Sequence, residues 1–149
     1  MCAAVVVVLV AVISLGVAAG GSGPKHTITG TLTITQGDSA NSTIRLDPDG
    51  TCTGYGRDAD ITPSARVLVK DAKGNTVATA RLGSGTSQQL ANPSTLLHGP
   101  SGTCTFDFKV AGIPDSDHYD IDVAGTRLRR TQKQLRDDSW SIRVDANDR

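Results

Sequence analysis

The sequence predicts an all-β fold, a two-sheet antiparallel sandwich of about seven short strands, immunoglobulin-like or prealbumin-like in build. Three observations lead there. Short segments alternate apolar and polar residues with a period of two. Clusters of glycine, proline, asparagine and aspartate separate them. All 15 acidic residues are aspartates, with no glutamate among 149 residues. Glutamate suits helix interiors, whereas aspartate suits caps and turns, so this choice leans towards strands and loops. No alternating strand–helix pattern is present, which argues against a parallel α/β fold.

The segments can be taken in order. From Thr27 to Thr35, threonines alternate with Ile28, Leu32 and Ile34, predicting a strand with the aliphatics inward. A short strand is expected around Thr43 to Leu46, before the turn signal Asp47-Pro48-Asp49-Gly50. Arg66 to Asp71 and Thr76 to Leu82 predict a hairpin joined by Ala72-Lys73-Gly74-Asn75. Gly83 to Gly102, rich in glycine, serine and proline, reads as a long loop. Cys104, Phe106, Phe108 and Val110 then share one face, as do Tyr119, Ile121 and Val123, and Trp140, Ile142 and Val144. Phe106, Phe108 and Trp140 are accordingly expected in the core. Thr131-Gln132-Lys133-Gln134 has capping-box spacing, so one or two helical turns are expected there.

An apolar segment precedes these strands. Of Met1 to Ala19, 17 of 19 residues are hydrophobic, and every charged side chain lies at Lys25 or later. Such a run predicts a secretory leader, with Val17-Ala18-Ala19 offering the small residues that a signal peptidase needs. No lysine or arginine precedes the run, which leaves room for a start upstream of Met1. Its length also suits a retained signal anchor, a transmembrane helix at the short end of what spans a bilayer. The expected organisation is therefore 1–19 leader or anchor, 20–25 flexible spacer and 26–149 sandwich domain. Export sets the cysteine chemistry. With Cys2 in the leader, Cys52 and Cys104 remain as an even pair in an oxidising compartment, and one disulfide is expected between them. Their spacing matches no zinc pattern.

The series Cys52-Thr53-Gly54-Tyr55-Gly56-Arg57-Asp58-Ala59-Asp60-Ile61, Val67 to Val77 with its Asp71-Ala72-Lys73-Gly74 turn, Cys104-Thr105-Phe106-Asp107-Phe108, Ile113-Pro114, Tyr119 to Val123 and the late Trp140 resembles a group of small exported or membrane-anchored actinobacterial proteins of unknown function. More broadly, the pattern is similar to immunoglobulin-like and prealbumin-like modules of bacterial surface proteins. The resemblance implies a β-sandwich with an extracytoplasmic address, and it implies no catalytic residues. The chain departs from it at Thr62-Pro63-Ser64-Ala65 and in the basic stretch Arg127 to Arg130.

Charge and motif narrow the function. With 15 basic and 15 acidic residues the net charge is zero, so nucleic acid is not an expected partner. Asp115, Asp117, His118, Asp120 and Asp122 include oxygen and nitrogen donors suited to a metal, but such aspartates are usually turn and strand-surface residues, and no metal or other cofactor is expected. Arg127, Arg129, Arg130, Lys133 and Arg136 form a basic patch that could meet anionic lipid or acidic wall polymer. There is no Gly-x-Ser-x-Gly elbow, and without glutamate no His-Glu-x-x-His site is possible. The expectation is a non-catalytic envelope or secreted module. The alternatives are a ligand-binding or accessory subunit of a membrane protein, working through Gly83 to Gly102, and an extracytoplasmic hydrolase.

Overall fold

The computed structural model describes residues 23–36, 43–89 and 102–148. The expected leader lies outside the described residues. Among the described residues no helix is long and apolar enough to cross a membrane.

Ten strands are described: β1 Lys25–Gln36, β2 Ile44–Leu46, β3 Thr51–Gly54, β4 Arg66–Lys70, β5 Thr76–Arg81, β6 Gly85–Gln89, β7 Gly102–Pro114, β8 His118–Val123, β9 Thr126–Thr131 and β10 Ser141–Asp145. One α-helix, α1, spans Gln132–Asp137, and two short 3-10 turns cover Gly56–Asp58 and Ala146–Asp148. The strands form a six-stranded sheet in the order β10-β1-β7-β6-β3-β2 and a four-stranded sheet in the order β5-β4-β8-β9. The two sheets pack against each other, and the all-β sandwich stands.

The alternation read from sequence places the core. Ile28, Leu32 and Ile34 of β1, Cys104, Phe106 and Val110 of β7, and Tyr119 and Val123 of β8 are fully buried, and Ile121 nearly so. Val67 and Val69 of β4 are buried beside Val123 and Ile121 of β8. Deeply buried side chains of this size are each worth roughly 1.5–3 kcal/mol relative to exposure. The Thr131 hydroxyl accepts from the Gln134 N–H while the Gln134 side chain accepts from the Thr131 N–H, completing the capping box of α1. That helix places Leu135 in the core. Tyr119 turns its hydroxyl back to donate to the Pro114 carbonyl at 2.8 Å, which ties β8 to the end of β7. Burial pushes the Tyr119 phenol up from its ordinary value.

The ten strands exceed the seven or so expected, because β3 and β9 carry no clear alternation in the sequence, and three further features differ from the expectation. First, Gly83 to Gly102 is not wholly a loop, because Gly85–Gln89 forms β6 between β3 and β7. Gly-Thr-Ser-Gln-Gln carries no apolar signal. Its extended state comes from ladders on both sides, so tertiary context overrides local propensity. Residues 90–101 lie outside the described residues. Second, one pairing is parallel: β1 runs alongside β10, from Thr29↔Ser141 to Thr33↔Asp145. The chain reaches β10 from β9 by way of α1, passing from one sheet to the edge of the other. Third, Trp140 does not continue the inward alternation of Ile142 and Val144. It sits ahead of β10 with φ 57°, half-buried against the rim of the core. A left-handed backbone turns its ring off the strand's inner face.

Candidate functional site

The acidic and basic runs are the two sides of one hairpin. β8 and β9 join through Ala124 and Gly125, whose φ values are 49° and 88°. Two central residues at positive φ match the twist of a two-residue hairpin turn. The turn sets a register in which Asp120 faces Arg129 and Asp122 faces Arg127. Arg129 grips Asp120 with both ends of its fork, Nε to Oδ1 at 2.6 Å and Nη2 to Oδ2 at 3.0 Å. The hydrogen bond from Arg129, aided by its charge, holds the Asp120 carboxyl below the usual carboxylate range, and the same contact raises the arginine. Arg127 Nε donates to Asp122 Oδ2 at 3.3 Å, while Asp122 Oδ1 accepts the Gly125 N–H at 2.8 Å. Together with Leu68 and Lys70, these residues line an open groove of about 600 Å³ on the outer face of the four-stranded sheet.

The remaining patch residues have their own geometry. Lys133 pairs with Asp137 one turn along α1 at 2.6 Å. Arg130 donates from Nη1 to the Arg129 carbonyl at 3.0 Å. Arg136 lies near enough to Tyr119 to act on it electrostatically. The structure thus divides the five basic residues: Arg127 and Arg129 are paired on the outer face of the hairpin, Arg130 lies on the opposite face of β9 across from Tyr119, and Lys133 and Arg136 belong to α1.

The metal-like run divides in the same way. Asp120 and Asp122 serve the hairpin. Asp115 accepts from His26 Nε2 at 2.7 Å and also from the Gln132 side chain. The Asp117 carbonyl accepts the Gln132 N–H at 3.1 Å. Among the described residues no group of three His, Cys, Asp or Glu side chains is placed to hold a metal ion.

A second cluster joins residues that sequence reasoning left apart. His26 at the start of β1 stacks on Trp140 with ring centroids 4.0 Å apart and planes 8° from parallel. Tyr119 meets Trp140 edge-on at 6.1 Å. Asp115 holds His26, so the end of β7, the start of β1 and the approach to β10 close on one pole of the sandwich. The separation of His26 from Asp115 and Trp140 in the chain hides this cluster, and no motif marks it.

Cys52 of β3 and Cys104 of β7 are joined by a disulfide with both residues fully buried. Their Cα atoms are 5.9 Å apart even though β6 lies between their strands. Compared with known protein families, curated proteins and solved structures, the chain matches none.

Proposed function

We propose that this chain is a non-catalytic module of the extracytoplasmic cell envelope or surface, exported by its apolar N-terminal segment and either released or held there. The observation that carries the proposal is the Cys52–Cys104 disulfide at the centre of the core. Such bonds persist in oxidising compartments and are rare where thiols are kept reduced. A domain whose mature part has only about 40 hydrophobic residues also gains from a covalent staple. The fate of the charged residues supports a structural role. Asp120, Asp122 and Asp115, the most tempting ligand donors, hold a hairpin and a strand end in place. The reading agrees with the resemblance to small exported or anchored actinobacterial proteins.

Cell fractionation with mass spectrometry of the native N-terminus tests the proposal. The expected result is a chain in the medium that starts at Gly20, or a membrane-bound chain that keeps residues 1–19. Recovery of the full-length chain from the cytosol would overturn it.

A further inference from the structure

β1 and β10, the outermost described strands in sequence, are neighbours that run in the same direction. Thr29 to Thr33 lie in register with Ser141 to Asp145. The chain enters β1 at one end of this ladder and leaves β10 at the other. Tension between the preceding and the following chain therefore drives the two strands past each other along their axes. In a parallel ladder the hydrogen bonds are evenly spaced and slant across the gap between the strands, so this load bears on them together instead of opening them one by one.

The surrounding packing suits such a load. β10 is the edge strand of its sheet, so the β1–β10 ladder is the part that yields first. Ile142 and Val144 are 4% and 7% exposed, and a slip of one residue would turn them out of the core. At the near end Thr29 donates to the Trp140 carbonyl at 2.9 Å, with the Trp140 ring against His26. At the far end Arg57 Nη2 donates to Asn147 Oδ1 at 2.9 Å. β1 is held on its other side by the long antiparallel ladder with β7, from Lys25 to Gln36.

We infer that the β1–β10 ladder is a shear clamp, which resists tension applied between the chain before β1 and the chain after β10. Its use in the cell rests on the proposed N-terminal tether; the clamp itself does not.

Single-molecule pulling on the oxidised full chain tests this. With handles at the two chain ends the ladder is sheared. With one handle on a click-reactive residue substituted at Thr35 and the other at the C-terminal end, the ladder is peeled. The expected rupture force is several-fold higher in shear, and equal forces in the two geometries would overturn the clamp. Stability is separated from mechanics by two variants. Val144→Ala and Val69→Ala should both lower the melting temperature, but only Val144→Ala should lower the end-to-end rupture force. Equal losses of force would also overturn the clamp. Reduction should lengthen the extended chain by about 180 Å, since the disulfide hides a separation of 52 residues, and this step identifies the event as unfolding of this domain. A cytosolic chain would remove the tether and leave the force comparison standing.

Discussion

The Cα atoms of Cys52 and Cys104 lie 5.9 Å apart across the inner face of a sheet in which another strand separates them. Two strands flanking a third in a flat sheet sit about 9.5 Å apart. The sheet must therefore fold over at β6, swinging β3 inward over β7. Gly85 sits at this fold, paired with Cys52 on one side and with Phe106 on the other. A Cβ there would meet the Cys52 carbonyl oxygen at 2.2 Å and the Phe106 ring at 2.8 Å.

Breaking the disulfide should therefore cost much of the domain's stability. Loop closure over 52 residues restricts the unfolded chain by about 4 kcal/mol. Cys52→Ala with Cys104→Ala, or reduction of the native chain, should lower the melting temperature by roughly 15 °C in differential scanning calorimetry.

Gly85→Ala should destabilise the domain even with the disulfide intact. The added methyl would have to displace backbone at Cys52 and an immobile ring, an overpacking cost of about 3 kcal/mol. Urea unfolding measures it. A loss as small as that of an ordinary exposed glycine-to-alanine exchange would refute the account of the corner.

The Asp120–Arg129 pair sets an acid-side dependence. The folded-state pKa of Asp120 is depressed below 3.8, chiefly by the hydrogen bond from Arg129. Its contribution is therefore complete above the unfolded value and is lost as pH falls through the folded one. In thermal melts, Asp120→Asn should lose stability relative to the wild type above about pH 5, with the difference shrinking below pH 4. High salt should narrow the gap at neutral pH, because the pair is exposed.

The turn after α1 carries backbone strain at Ser139 and Trp140, and a change at Ser139 should relieve its share. Ser139 follows the helix C-cap with φ 54° and is exposed. Glycine is the usual residue at that position, since it adopts the left-handed conformation without a Cβ penalty. Ser139→Gly should raise stability by about 1 kcal/mol, read from the urea midpoint.

How much of this could be seen in the sequence depended on whether a residue's partner lay in the local pattern. β1, β4, β7 and β8 announce themselves because one face is apolar and the other polar, which is the condition for a period of two. β9 stayed hidden because its outward positions are Arg127 and Arg129, and a basic stretch reads first as a surface patch. The hairpin register turns that patch and the preceding acidic run into cross-strand partners. β6 has no apolar face and exists only because β3 and β7 flank it. The disulfide could be expected from cysteine parity and compartment, but not the fold in the sheet that lets it form. The stack of His26 on Trp140 depends on a parallel pairing of the first and last described strands and on a left-handed backbone at Trp140. Neither leaves a mark in the local sequence.

The compartment is the central claim, and the redox state of Cys52 and Cys104 in living cells tests it most directly. Thiols are trapped by alkylation at the moment of lysis, and the two cysteine peptides are then measured without reduction. The account predicts a Cys52–Cys104 crosslinked peptide, with neither cysteine alkylated, in the membrane or extracellular fraction. Two alkylated cysteines on a folded chain in the cytosol would contradict it.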